Sequence, residues 1–148
     1  MLHEALDELV TGHPDMCRYS SRLGVTLMTA YFTTNESRYL DKAMAAFQMA
    51  VMCEAVPATL RFRIAKTWSH LADSRHESAL DAYQAVIDLL PHLAMLGLNL
   101  QARQQALVTS DTDGLARNAA ACAIQLGQFD KAIELLEEGR TIFWSQAL

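Results

Sequence analysis

Residues 126–144, with the sequence LGQFDKAIELLEEGRTIFW, carry the pattern from which we predict the fold. A predicted turn at residues 127–129 precedes a series in which Ala132, Leu136 and Gly139 recur at helical spacing. Small and large side chains placed three or four positions apart give a helix one side that packs tightly on a neighbour. Because a Gly-x-Phe turn ends one helix and lets the next fold back antiparallel, we predict the second half of a helical hairpin here.

The same alternation of small, large and small residues occurs at two earlier places in the chain. The matching series are Ala43, Phe47 and Ala50, and then Ala79, Tyr83 and Val86. Pro57 and Pro91 lie 34 residues apart, which is the period of tetratricopeptide repeats (TPR). Ala79 and Ala132 are separated by more than one period, so we predict an extra helix at about residues 92–108 that distorts the repeat.

These patterns predict an all-α fold of about seven to eight helices, stacked as antiparallel hairpins into a short TPR-like solenoid. We expect one repeat domain over residues 1–148. A short first helix is marked by Leu2, Leu6 and Leu9. The other predicted helices span about 14–33, 38–54, 57–72, 77–89, 91–108, 115–126 and 129–144.

For two helices, the sequence predicts which residues form the side that packs on a neighbour. The helix at 14–33 carries a predicted buried stripe, with Gly24 allowing close approach of a neighbour. That stripe consists of Tyr19, Leu23, Leu27, Ala30 and Tyr31. The helix at 115–126 presents mainly alanine on its inner side, which implies very close helix packing. Those alanines are Ala116, Ala119, Ala120 and Ala123.

The composition narrows the class of protein. The chain has 148 residues, of which 51% are hydrophobic, and a formal net charge of −5. This negative charge argues against nucleic acid and anionic membranes as partners. No stretch has the roughly 18 apolar residues that a membrane span needs. Three cysteines, Cys17, Cys53 and Cys122, are odd in number and far apart, so we expect no disulfide framework and a cytoplasmic location.

Residues 82–107 and 120–148 resemble the helical-repeat region of fungal TPR–CHAT proteins. The most specific parts are Gln101-Ala102-Arg103 and the run from Glu137 to Gln146. The resemblance implies that a caspase-like CHAT domain follows such repeats and holds the catalytic His and Cys. This chain does not contain that domain, so no residue here inherits a catalytic role. We therefore expect the chain to be a fragment of a longer protein.

Four residues are candidates for contact with a partner. Arg63, Lys66 and His70 share one polar side of the helix at 57–72, and they would receive an acidic peptide if that side lines the concave surface of the solenoid. The alternative for these three is an ordinary solvated surface. Arg103 falls on an apolar stripe, so it is a ligand contact, a partner in an inter-helix ion pair or a cap on a backbone carbonyl.

No pattern of residues indicates an enzyme, a metal site or a cofactor. The sequence lacks His-x-x-x-His, Cys-x-x-Cys, a phosphate-binding glycine loop and the Gly-x-Ser-x-Gly motif. Our leading hypothesis is a protein-interaction and scaffold module, the regulatory repeat region of a CHAT-type protein. One alternative is a structural segment that forms homo-oligomers through apolar end helices. A small-ligand-binding helical domain is a further alternative.

Overall fold

The computed structural model of the protein describes residues 14–94 and 112–147. All regular structure in these ranges is α-helical, which confirms the all-α part of the prediction. The described part contains six helices rather than seven or eight. The predicted first helix and most of the predicted helix at 91–108 lie outside the described residues. The helices are α1 (Pro14–Thr34), α2 (Ser37–Met52), α3 (Ala58–Ala72), α4 (Ala79–Ala94), α5 (Thr112–Gln125) and α6 (Phe129–Ala147).

Consecutive helices pair as three hairpins, as the sequence predicts. The closest pairings are α1 with α2, α3 with α4, and α5 with α6. Adjacent hairpins meet where α2 contacts α3 and where α4 contacts both α5 and α6. The middle hairpin therefore connects the outer two, and α4 is the helix through which the third hairpin is attached.

A residue with positive φ occurs in each hairpin turn. Asn35 has φ +57° between α1 and α2, Ser74 has φ +62° between α3 and α4, and Gly127 has φ +74° between α5 and α6. Gly adopts this conformation without steric cost, and Asn tolerates it better than most residues. At the last turn, the N–H of Gln128 donates to the carbonyl of Ala123 at 2.8 Å, which closes the end of α5.

The main hydrophobic core runs through all six helices, and Trp68 in α3 is its largest fully buried side chain. Two glycines allow the close approach that this packing requires. A Cβ added at Gly24 would lie 2.8 to 3.0 Å from ring atoms of Phe47. A Cβ added at Gly139 would lie 2.5 Å from the Cβ of Ala116. The predicted close packing of Gly24 and of the inner alanines of α5 is confirmed.

The prediction for Tyr19 in α1 is wrong, whereas Leu27 and Tyr31 of the same stripe pack against the core. Tyr19 was expected in the buried stripe, yet 54% of it is exposed. Cys17, Ser20 and Met28 are buried instead. Because the ring of Phe47 packs on Gly24, that side of α1 faces α2, and Tyr19 is turned outward.

The predicted break before Pro91 is also wrong. α4 continues through Pro91 and ends at Ala94. Proline removes one helical hydrogen bond and crowds the preceding turn, which is most costly in the middle of a helix. Pro91 lies in the last turn of α4, so it interrupts one hydrogen bond and only three residues of the helix follow it.

A disulfide joins Cys17 and Cys53, contrary to the prediction of none. Their Cα atoms lie 6.1 Å apart, although 36 residues separate them in sequence. Cys17 lies in the first turn of α1 and Cys53 directly follows α2, so the antiparallel hairpin brings them together. With Val56 they form a small second apolar cluster. Cys122 is free and buried, as a small core residue should be.

Membrane insertion was not expected from the sequence. None of the helices within residues 14–94 and 112–147 combines the length and the apolar character that crossing a bilayer requires.

Candidate functional site

The basic side of α3 holds three of the four residues predicted to contact a partner. Arg63, Lys66 and His70 are spaced three and four positions apart, so they lie along one side of the helix. Arg63 and His70 are exposed, and Lys66 is half-buried with its Nζ 5.8 Å from the centre of the Phe62 ring. The structure thus brings these three side chains together, and their binding role remains a prediction.

The charge of α3 is unusually one-sided. The helix contains Arg61, Arg63 and Lys66 but no acidic residue. Arg61 is already engaged, because its Nε donates to the carbonyl of Val51 at 2.7 Å at the end of α2. Within the described ranges, Arg63 and Lys66 form no ion pair with a carboxylate. No carboxylate among the described residues therefore competes with an acidic ligand for these two cations.

Arg103, the fourth predicted contact residue, lies outside the described residues.

The turn between α3 and α4 holds a Ser–His–Asp arrangement that was not predicted from the sequence. His76 Nε2 lies 3.2 Å from Asp41 Oδ1 on α2, and His76 Nδ1 lies 2.8 Å from Ser78 Oγ. The Ser78 N–H also donates to Nδ1 at 3.0 Å, which requires that nitrogen to be unprotonated. The Ser78 hydroxyl therefore donates to Nδ1, and the Nε2–H of His76 donates to Asp41.

The bonding of Ser78 indicates a structural role for this arrangement. Its Oγ accepts a hydrogen bond from Trp68 Nε1 at 3.1 Å, and its carbonyl accepts the N–H of Ala82 as α4 begins. Ser78 thus links the start of α4 to the core tryptophan and, through His76, to α2. His76 and Ser78 are close in sequence and Asp41 is distant, so the spacing of the three residues does not predict this contact.

Two buried titratable side chains lie near Asp73 at the end of α3. The hydroxyl of Tyr83 donates to Asp73 Oδ2 at 2.7 Å. Burial, together with this hydrogen bond and the nearby carboxylate, raises the pKa of Tyr83 well above its ordinary value. Burial and the charge of Asp73 also raise the pKa of the Cys122 thiol. Cys122 is therefore held as the weakly nucleophilic thiol, which does not favour a catalytic cysteine.

One side of α6 exposes a row of large apolar side chains. Phe129, Ile133 and Leu136 are 63%, 61% and 44% exposed, and we call these three residues the α6 stripe. Leu136 was predicted to pack inward, whereas Leu135 is fully buried in its place. The spacing of four and then three residues already placed the stripe on one side of a helix. The sequence alone did not show which side faced the core.

Two open grooves lie beside α6. One, of about 440 Å³, follows the turn and first residues of α6 from Gly127 to Glu134. The other, of about 420 Å³, lies between α4 and α6 and is lined by residues that include Ile87, Pro91 and Ile142. The described residues contain no cluster of three or more His, Cys, Asp or Glu side chains placed to hold a metal ion.

Comparison with known proteins assigns no function to these surfaces. No protein-family model, curated protein or solved structure matches the chain.

Proposed function

We propose that this protein is a protein-interaction module, built as a short TPR-like solenoid of helical hairpins. Support comes from three antiparallel hairpins in which each neighbouring pair is in contact. Such hairpins bury their packing sides against one another, and their remaining sides form an extended surface for a partner.

The basic side of α3 is the observation that carries this proposal. Arg63 and Lys66 have no carboxylate partner among the described residues, and His70 is exposed beside them. An arginine can bind a carboxylate through two hydrogen bonds, and a lysine adds a point charge. The proposed ligand is an acidic peptide segment of another protein. Because the side chains are largely exposed, its affinity should fall as salt increases.

Binding of a fluorescent peptide rich in Asp and Glu tests this proposal. The informative variant is Arg63→Glu/Lys66→Glu, and we expect it to weaken binding about tenfold or more. Arg18→Glu/Arg22→Glu, on the exposed side of α1, is the matched control because it changes the net charge equally. We expect that control to bind almost as well as the unmodified protein. Equal losses in both variants would show a response to net charge alone and would contradict the proposal.

The resemblance of residues 79–148 to TPR–CHAT repeats supports a more specific proposal. The module would adjoin a caspase-like CHAT domain and regulate it, without catalysing a reaction itself. Extension of the genomic reading frame beyond Leu148 tests this link. A downstream domain with a paired His and Cys would support it, and a reading frame without such a domain would contradict it.

A further inference from the structure

The turn between α1 and α2 carries the tripeptide Asn35-Glu36-Ser37. An asparagine followed two positions later by serine or threonine, with any residue except proline between them, is the acceptor sequence for N-linked glycosylation. The other two asparagines of the chain, Asn99 and Asn118, are followed at that position by glutamine and alanine. Asn35 is therefore the one asparagine of the sequence with an acceptor motif.

Such a tripeptide also occurs by chance, so its structural setting decides whether it can be used. All seven residues from 32 to 38 are exposed. The backbone N–H of Asn35 donates to the carbonyl of Tyr31 at 2.7 Å, which closes the end of α1. The side-chain amide of Asn35 and the hydroxyl of Ser37 form no hydrogen bond within the described ranges. The two side chains that the motif requires are thus reachable from solvent and are not used to hold the fold.

The position of the motif in the hairpin also matches that of a modified residue. Asn35 lies between two helices, with φ +57°, and the next residue, Glu36, has an extended backbone. The chain enters α2 only at Ser37. A bulky group on Asn35 would therefore be attached outside both helices, away from the sides on which α1 and α2 pack together.

The disulfide of the same hairpin is a second, independent observation. It joins Cys17, in the first turn of α1, to Cys53, directly after α2. Disulfides form and persist in oxidising compartments such as the lumen of the endoplasmic reticulum, and they are rare in the cytosol. N-linked glycans are added to proteins that enter that lumen. The cytoplasmic location predicted from the sequence rested on expecting no disulfide, so this bond removes its basis.

We propose that Asn35 is a site of N-linked glycosylation. The sugar donor is an oligosaccharide joined through a diphosphate to a polyisoprenoid lipid. Nδ2 of Asn35 forms a bond to the anomeric carbon of the first sugar, and the bond between that carbon and the diphosphate oxygen breaks. The bonding electrons leave with the lipid diphosphate, and Nδ2 gives up one proton. This modification does not depend on the acidic ligand proposed for α3.

Expression of the full reading frame, with its own N-terminus, in yeast provides the test. The purified protein is digested with peptide N-glycosidase, which removes an N-linked glycan and converts the asparagine that carried it to aspartate. We expect the intact protein to lose mass on digestion. Peptide mass spectrometry should then locate the conversion at position 35.

Four variants identify the acceptor. Asn35→Gln and Ser37→Ala should each abolish the loss of mass, whereas Ser37→Thr should retain it because threonine also completes the motif. Asn118→Gln is the matched control, since Asn118 is an exposed asparagine on α5 outside any acceptor motif. It should be glycosylated like the unmodified protein. The two variants of Ser37 keep Asn35 at its positive φ, so they test the site even if Asn35→Gln does not fold.

Alkylation of the cysteines in the same preparations separates two ways in which the proposal would fail. An unglycosylated protein with the bond between Cys17 and Cys53 formed would show that the turn is not an acceptor in an oxidising compartment. An unglycosylated protein with all three cysteines free would show that the chain does not enter such a compartment. Either result would overturn the proposal, as would a glycan that persists in Ser37→Ala. None of these results bears on the binding of an acidic peptide to α3, which is measured separately.

Discussion

Tyr83 lies in the first half of α4 and is 4% exposed, as its place in the alternating series predicts. Its ring packs in the core while its hydroxyl reaches Asp73 at the end of α3. A buried tyrosine hydroxyl needs such a partner, because an unpaired polar group in the core is costly. The hydrogen bond therefore ties the two helices of the middle hairpin together near their turn.

Tyr83 should make stability depend on pH in the alkaline range. An unfolded tyrosine loses its proton near pH 10, and the folded protein holds that proton to higher pH. The stabilisation that Tyr83 gives the folded protein is therefore complete below about pH 10 and is lost as the pH rises above that value. We expect Tyr83→Phe to lower the free energy of unfolding by about 1–2 kcal/mol at pH 7. Above pH 10, the free energy of unfolding of the variant should also decline less than that of the unmodified protein.

Urea unfolding at a series of pH values measures both effects. Tyr19→Phe is the control, because Tyr19 is 54% exposed. An identical alkaline decline in Tyr83→Phe and the unmodified protein would refute the role given to Tyr83.

At the scale of the helix, α6 shows how one-residue differences decide burial. Leu135 is fully buried, and the adjacent Leu136 is 44% exposed. Gly139, packed against Ala116, fixes which side of α6 faces α5. Leu135 lies on that side with Ala132, and the α6 stripe lies away from it.

Alanine substitution of the two leucines provides a matched comparison. Leu135→Ala should lower the free energy of unfolding by about 2–5 kcal/mol, since it leaves a cavity in the core. Leu136→Ala should lower it by less than about 1 kcal/mol, because the side chain is already partly in water. Urea or thermal unfolding measures the difference. Equal losses, or a larger loss for Leu136→Ala, would contradict this rotation of α6.

The disulfide between Cys17 and Cys53 acts on the first hairpin. The bond closes a long loop. Reduction should lower the free energy of unfolding by about 2–4 kcal/mol, chiefly because the unfolded chain gains conformational freedom. Alkylation of the denatured, unreduced protein should label Cys122 alone, and Cys122→Ala is the control variant. Labelling of all three cysteines without reductant would show that the bond does not form.

At the scale of the whole molecule, Gln84 connects the middle and last hairpins. Its Nε2 donates to Asp88 Oδ1 at 2.8 Å and to Glu138 Oε2 at 3.0 Å, which joins α4 to α6. Its Oε1 is buried and accepts no hydrogen bond among the described residues. One neutral amide therefore serves two carboxylates while its own carbonyl is left unpaired.

Replacing this amide with a cation should stabilise the junction. Gln84→Lys removes the unpaired carbonyl and places a positive charge between two carboxylates. We expect the free energy of unfolding to rise by about 1 kcal/mol, with a smaller gain at high salt. Gln84→Met is the control that removes the carbonyl without adding charge. If the lysine and methionine variants have equal stability at low salt, the electrostatic part of this explanation is wrong.

The helices and the kind of contact between them were predictable from the spacing of residues along the chain. The series Ala43, Phe47 and Ala50 is fully buried, and the inner alanines of α5 are buried as expected. These features follow from spacing within a single helix, which is a local property of the chain. The basic side of α3 was predictable for the same reason, since Arg63, Lys66 and His70 lie on one helix.

The exact rotation of each helix and the contacts between distant residues are visible only in the folded molecule. Spacing placed Gly24 and Gly139 on the packing sides of α1 and α6, and only the packed helices show that Tyr19 and Leu136 lie outside those sides. The disulfide and the contact of His76 with Asp41 join residues from different helices. Such contacts depend on how hairpins align in space, and helical periodicity carries no information about that alignment.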